Sequence, residues 1–403
     1  MITDVDRTGG PMAERAGLVV AGAGARGAYE AGALSVLLPR MAAAGATPSV
    51  LVGTSAGALN VAVLAGLAHT RPDEACAELA RRWRDVRLDD VLDVGGTVLG
   101  TSAGLTGQVL GVPAAVRGLL GLPVRLTSLV DPGRQRATLA RVVDWDRLHD
   151  NVARGPVDAV AVATTSVATG GTVVFVERKD SVALPPPDTK RDITYVDTVL
   201  TPEHLLASAA VPTLFRPVRI DSPPGFAGWY LDGGVRMNTP LKPALGLGCD
   251  RLGVVAPTPE VPAERPPAAP APVEPDVFAA GALALRILLG GAVTDDLRAL
   301  LAVNAQARDD ASDPHGVVDV WFAGPPADRA ADLARLANTV FRRGFRGRRA
   351  MRNPGLWALD RAIGGSEADH GELLSFLFFD PAFAEAAIAL GAEHAALLPE
   401  PVS

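Results

Sequence analysis

The stretch SVLVGTSAGALNVAVLAGLA, residues 49–68, joins a short apolar run to a segment of small residues through a turn at Ser55. The apolar run predicts a buried strand, and the small-residue segment predicts a helix. Where a strand turns abruptly into a helix, the residue at the turn is strained and its neighbours two positions away must be small. The pattern therefore predicts a nucleophile elbow, although the same letters can arise by chance in a chain rich in Gly and Ala. The predicted elbow consists of Gly53, Thr54, Ser55, Ala56 and Gly57.

An earlier segment, GLVVAGAGARGAYEAGAL at residues 17–34, repeats this plan of strand, glycine-rich loop and helix. Two such units in succession imply parallel strands joined by helical crossovers. Further strands are predicted at VDAVAVATT, TVVFVE, GWYLD and RLGVVA. The sequence thus predicts an α/β fold: a three-layer α/β/α sandwich with a mostly parallel sheet, followed by a mainly helical C-terminal extension.

The glycine-rich loop has two functional interpretations. A dinucleotide-binding loop of this spacing expects an acidic residue about 20 positions later, and no Asp or Glu occurs from Ala31 through Pro72. The favoured interpretation is an oxyanion hole, in which backbone N–H groups face developing negative charge. Arg26 would then place a positive charge near an oxyanion or a lipid phosphate, whereas in a plain turn it would face solvent. The loop consists of Gly22, Ala23, Gly24, Ala25, Arg26 and Gly27.

A nucleophilic serine needs a base, and none of the six histidines lies at a predicted strand end. The segment YLDGGVRMNTP, residues 230–240, offers Asp232 at the end of a strand, followed by Gly233 and Gly234. The glycines let the chain reverse, so that the carboxylate can face another strand end. Taken alone, Asp-Gly-Gly is more often a structural turn than a site.

These segments jointly resemble one family. GAGARGAYEAGAL, GTSAG, ASAAVPTLFRPV (207–218) and LDGGVRMNTP occur in the order and context of patatin-like phospholipases. The resemblance runs from about Gly17 to Ala256, and the later LLSFLFFDPAFAEAAIALG is similar, with less specific signatures, to the extension of bacterial patatin-like hydrolases. One departure is Ala23, where many members have a third consecutive glycine.

The resemblance implies a serine acyl hydrolase with a Ser-Asp dyad and no histidine. Ser55 matches the family nucleophile, Asp232 the catalytic acid, and residues 22–27 the oxyanion loop. No metal and no cofactor is implied, and the substrate is an acyl ester: phospholipid, lysophospholipid, monoacylglycerol and thioester all stay open. An apolar trench for the acyl chain, or a lid, is predicted at residues 94–123, with core helix as the alternative.

Two other classes compete with this hypothesis. An α/β-hydrolase with a Ser-Asp-His triad would take its histidine from the chain after Asp232, where His315, His370 and His394 occur. A catalytically silent lipid-binding protein could keep the fold, although it would not need both the serine and the acid.

Charge and length constrain partners and organisation. The net charge of -7 without a basic stretch argues against nucleic acid as a partner. No signal peptide is visible, and Cys76 and Cys249 lack metal or redox spacing, so a cytoplasmic location is expected, with peripheral membrane contact possible. The oligomeric state is open.

The expected segments are a flexible N-terminus (1–16), a catalytic domain (17–256), a proline-rich linker or loop (257–276) and a mainly helical C-terminal extension (277–398).

Overall fold

A computed structural model describes the chain in several ranges. They are residues 15–87, 132–212, 215–260, 297, 300–302, 304, 317–344 and 367–398. The predicted lid segment 94–123 and most of the proline-rich segment 257–276 lie outside these ranges.

Nine strands in the described ranges form one mixed sheet. Its order is β5-β4-β3-β2-β1-β8-β9, with β7 pairing with β3 and β6 with β7. The pairs β1–β2, β2–β3, β1–β8 and β8–β9 are all parallel. The strands are β1 Ala16–Val20, β2 Val50–Thr54, β3 Ala159–Ser166, β4 Thr172–Arg178, β5 Ile193–Asp197, β6 Val218–Ile220, β7 Gly228–Asp232, β8 Arg251–Val255 and β9 Asp319–Ala323.

Helices connect and cover these strands. Those described are α1 Gly27–Ala43, α2 Ala56–Leu67, α3 Pro72–Asp85, α4 Pro132–Val142, α5 Trp145–Ala153, α6 Pro202–Ser208, α7 Leu241–Gly246, α8 Asp332–Gly344, α9 Glu367–Leu377 and α10 Pro381–Ala396. No single helix in the described ranges is both long and apolar enough to cross a bilayer. The pair Gly371–Leu377 and Pro381–Ala396, bent by 105°, meets that test jointly on length and composition alone.

Side chains alternate between two cores on opposite faces of the sheet. Leu18 and Val20 point into the core shared with α1, α2 and α10, whereas Val19 between them points into the core shared with α7. This alternation follows from the period of two in a strand, and its apolar character on both faces is that of a covered sheet. The predicted three-layer α/β/α sandwich is confirmed. Sequence reasoning missed β5 and β6, since β6 has only three residues and β5 follows a proline cluster.

The C-terminal helix α10 packs directly on α1. A Cβ atom built on Gly391 would lie 2.0 Å from the Tyr29 carbonyl oxygen, and one built on Gly32 would lie 2.0 Å from the Ile388 carbonyl oxygen. Two glycines thus allow backbone-to-backbone contact between the helices. Because β9 also belongs to the sheet, the described part of the predicted C-terminal extension (277–398) shares a hydrophobic core with the predicted catalytic domain (17–256). The boundary between these two segments stays a prediction.

Replacing Gly391 by Ala is expected to lower the free energy of unfolding by about 3 kcal/mol, because the added methyl forces α10 away from α1. Gly344→Ala is the matched control, since Gly344 is also helical and a Cβ there meets no described residue within 4 Å. Chemical denaturation of both variants measures the difference. Equal stability of the two variants would contradict the close helix contact.

Candidate active site

The sheet register brings the predicted nucleophile and acid together. Thr54, at the end of β2, pairs with Ala163 of β3, and Asp232, at the end of β7, pairs with Thr164. Because β4 occupies the other edge of β3, β2 and β7 share one edge and meet end to end. Ser55 follows Thr54 immediately, so it emerges beside Asp232.

The turn at Ser55 has the strained geometry expected of an elbow. Ser55, at the N-cap position of α2, has φ 54° and ψ −123°, a conformation that non-glycine residues rarely adopt. A Cβ atom on Gly53 would lie 2.5 Å from the Gly57 carbonyl carbon, and one on Gly57 would lie 2.3 Å from the Val20 carbonyl oxygen. The backbones approach so closely that both positions require glycine.

Ser208, at the end of α6, supports the backbone of the elbow through hydrogen bonds. The Ser55 backbone N–H donates to the Ser208 hydroxyl at 2.8 Å, and that hydroxyl donates to the Ala163 carbonyl at 2.7 Å. Sequence reasoning gave Ser208 no role, although it lies within the ASAAVPTLFRPV segment that supported the family resemblance. Since the hydrogen bond uses the Ser55 amide, the hydroxyl of Ser55 is left for chemistry.

Asp232 presents one carboxylate oxygen to the site. Its Oδ1 accepts a hydrogen bond from the Gly234 N–H at 2.6 Å. Its Oδ2 has no partner of hydrogen-bond geometry among the described residues. The Ser55 hydroxyl nevertheless lies close enough to favour the charged carboxylate, a loose contact of the kind that tightens only when substrate binds.

Burial sets the basicity of Asp232. The side chain is 1% exposed, and this desolvation raises the pKa of the carboxyl group to about 7, against smaller lowering effects of the Gly234 N–H and the Ser55 hydroxyl. A carboxylate of ordinary pKa is a weak base, whereas one with a pKa near the working pH suits proton transfer.

The rate of ester hydrolysis is expected to rise with pH through about 7 and then level off, since only ionised Asp232 accepts a proton. The measurement is kcat/KM for a non-ionising nitrophenyl ester across this range, corrected for the spontaneous rate. A profile that is flat, or that falls with rising pH, would contradict a base of this pKa.

The glycine-rich loop lies against Ser55 and against Asn238, in the segment that follows Asp232. A Cβ atom on Gly22 would lie 3.3 Å from Ser55 Cβ and 2.3 Å from Asn238 Oδ1. The side-chain Nδ2 of Asn238 donates to the Gly22 carbonyl at 3.2 Å. The backbone carbonyl of Asn238 accepts the Gly22 N–H at 2.9 Å. The segment after Asp232 therefore ties the loop to the acid motif. Ala23 has φ −139°, which any residue adopts, so its methyl group fits where glycine is common.

Not every N–H group of the loop is available to a substrate. That of Gly22 is bonded to Asn238, that of Arg26 donates to the Ala23 carbonyl at 3.1 Å, and that of Gly27 caps the turn Gly24–Arg26. Of the six residues predicted for an oxyanion hole, this leaves residues 23–25 as the candidate donors. The first-turn N–H groups of α2, including that of Ala56, lie next to Ser55 and lack intrahelical partners.

The Arg26 side chain does not follow the sequence-based expectation of a charge facing an oxyanion or a phosphate. It is 3% exposed and points to α9, where it pairs with Glu372 at 2.8 Å. Its charge is thus compensated inside the protein, and its backbone alone belongs to the loop.

An apolar cavity of about 140 Å³ opens beside Ser55 and Gly24. Its walls come from distant parts of the chain: Trp83 at the end of α3, Leu205 of α6, and Phe376 of α9. A cavity of this character accepts hydrocarbon.

No histidine in the described ranges hydrogen-bonds to Ser55 or Asp232. His394 instead contacts the Tyr29 hydroxyl at 3.0 Å and the Asp332 carboxylate at 3.3 Å. His204 caps α6 with Thr201, and burial lowers its pKa to about 4. His315 and the side chain of His370 lie outside the described part.

Comparison with known proteins identifies the family of the chain. The sequence profile of the patatin-like phospholipase family matches residues 18–245, more than half of the chain. No curated protein matches it. Among solved structures, the chain is similar to VipD from Legionella pneumophila, with 15% identity, a TM-score of 0.31, and coverage of 74% of this chain and 56% of that one. The chain thus spans little more than half the length of VipD, and the assignment rests on the profile match. This chain belongs to the patatin-like phospholipase family.

Proposed function

We propose that this protein hydrolyses fatty-acyl esters of lipids, phospholipids among them, through an acyl-enzyme on Ser55, with Asp232 as general base. Family membership supports lipid acyl hydrolase activity in general. The observation that carries the finer proposal is the fully buried carboxyl group of Asp232, with a pKa of about 7, beside a strained serine at an apolar cavity.

In the first half-reaction Asp232 Oδ2 takes the proton of the Ser55 hydroxyl as Oγ attacks the ester carbonyl carbon. The carbonyl oxygen becomes an oxyanion, which the N–H groups of residues 23–25 and the N-terminus of α2 stabilise. Collapse of this intermediate breaks the ester bond, and Asp232 returns its proton to the departing alcohol. The acyl group stays on Ser55.

In the second half-reaction a water molecule replaces the alcohol. Asp232 takes a proton from this water as its oxygen attacks the acyl carbon, and Ser55 leaves with the proton returned from Asp232. The product is a free fatty acid. Every proton moves among Ser55, Asp232, the departing alcohol and water, so the scheme needs neither a metal nor a cofactor.

The cavity beside Ser55 supports an acyl chain as the recognised part of the substrate. Transfer of apolar surface from water contributes about 0.8 kcal/mol for each buried methylene, so a chain lying along Trp83 and Phe376 would bind without polar contacts. The apolar residues that line the cavity do not select a particular head group of the substrate. Peripheral contact with a membrane and a cytoplasmic location stay predictions from the sequence.

A substrate panel tests the proposal. Wild-type protein and Ser55→Ala are incubated with a phospholipid, a lysophospholipid, a monoacylglycerol and an acyl thioester, and released fatty acid is quantified. The proposal expects release by the wild type, and none by the variant, from at least one of them. No release above the variant from any member would contradict it and favour a silent lipid-binding protein.

A further inference from the structure

The oxyanion loop is held by a helix more than 300 residues away in sequence. Arg26, at the end of the turn Gly24–Arg26, reaches into α9: its Nε donates to Ser375 Oγ at 2.8 Å, and its Nη2 lies 2.8 Å from Glu372 Oε1 and 3.3 Å from the Glu372 carbonyl oxygen. Its Cζ lies 3.8 Å above the centre of the Phe376 ring. Three residues of α9 therefore surround one guanidinium.

This cluster has the composition that a buried cation requires. An unpaired guanidinium at 3% exposure would be very costly, and here a carboxylate, a hydroxyl, a carbonyl and an aromatic face compensate it. Ser375 is itself fixed, because its hydroxyl donates to the Glu372 carbonyl at 2.6 Å. The planar guanidinium can satisfy all these partners in only a narrow range of orientations.

A second contact reaches the loop through its backbone. Gly24 has φ +56°, and a Cβ atom there would lie 2.5 Å from the Phe376 carbonyl oxygen. The α9 helix thus touches the loop at Gly24 and again at Arg26. These two contacts lie within or next to residues 23–25, whose N–H groups are the candidate oxyanion donors.

We propose that α9 positions the oxyanion loop through the Arg26–Glu372 ion pair, which makes Arg26, Glu372 and Ser375 positioning residues for the hydrolysis. The inference rests on the proposed function. Oxyanion donors act on charge that develops only in the transition state, so their displacement lowers kcat and leaves ground-state binding nearly unchanged. A purely structural role for α9 would instead lower stability without lowering kcat, or would change KM through the cavity wall.

Glu372→Gln tests this proposal because it removes the charge at nearly constant size. The control is Glu385→Gln, which removes the carboxylate charge from the exposed ion pair between Arg84 of α3 and Glu385 of α10, away from the loop. Both variants are compared with the wild type in kcat and KM for a nitrophenyl butyrate and in thermal melting.

We expect Glu372→Gln to lower kcat about tenfold, with KM within about twofold, and to lower the melting temperature, because Arg26 stays charged without its carboxylate partner. Glu385→Gln, at an exposed pair, is expected to match the wild type. If wild-type protein shows Ser55-dependent turnover but Glu372→Gln keeps its kcat, changes only KM, or behaves as Glu385→Gln does, the inference is overturned and the proposed function stands. If Glu372→Gln does not fold, Ser375→Ala, which removes the hydroxyl that accepts from Arg26 Nε, is judged by the same criteria. Absence of Ser55-dependent turnover in the wild type would instead refute the proposed function, and the inference with it.

Discussion

Replacement of Ser55 by alanine is expected to lower kcat for nitrophenyl esters by at least about 10⁴-fold, since the acyl-enzyme cannot form without the hydroxyl. Stability should change little. The Ser55 backbone N–H keeps its hydrogen bond to Ser208, and alanine meets the positive φ of this position at a cost similar to that of serine. Initial rates and thermal melting of purified protein measure both effects.

The control for this variant is Ser35→Ala in α1, which removes a hydroxyl that donates to the Gly32 carbonyl at 2.6 Å. Its kcat is expected to equal that of the wild type. Wild-type turnover in Ser55→Ala would exclude Ser55 as the nucleophile.

Replacement of Asp232 by asparagine is expected to lower kcat by about 10⁴-fold, because an amide cannot accept the Ser55 proton. The same change should stabilise the fold above neutral pH. Asparagine can keep an acceptor oxygen for the Gly234 N–H and needs no ionisation in the buried site.

The pH dependence of that stabilisation has a definite sign. The pKa of Asp232 is raised in the folded protein, so its contribution to stability is fully present below the unfolded pKa near 4 and is lost as pH rises through about 7. The gain in melting temperature of Asp232→Asn over the wild type should therefore be larger near pH 8 than near pH 5. Retained activity would place the base elsewhere, and a gain that shrinks with rising pH would contradict the raised pKa.

Local signals were enough to identify the centre of the candidate site. Ser55 lies between Gly53 and Gly57 because the backbones of the elbow and β1 almost touch, and such contact leaves a readable pattern of small residues. Asp232 was recognisable for a similar reason, since a Cβ atom on Gly233 would lie 2.3 Å from the Ala163 carbonyl oxygen.

Contacts between residues far apart in the sequence leave no local pattern comparable to the glycines around Ser55 and Asp232. The direction of the Arg26 side chain depends on Glu372 and Ser375, which no local pattern connects to the glycine-rich loop. Ser208 supports the elbow from a helix 153 positions away. The cavity walls likewise come from α3, α6 and α9 together, and the segment 94–123 predicted to line or cover the cavity lies outside the described residues.

The most direct test of the central claim is labelling with a fluorophosphonate probe, which reacts with activated serines, followed by peptide mapping of wild type, Ser55→Ala and Asp232→Asn. The account predicts one adduct, on Ser55, that is absent from Ser55→Ala and forms at least about 100-fold more slowly in Asp232→Asn. An adduct on another serine, or labelling of Ser55 at the wild-type rate in Asp232→Asn, would contradict the Ser55–Asp232 dyad.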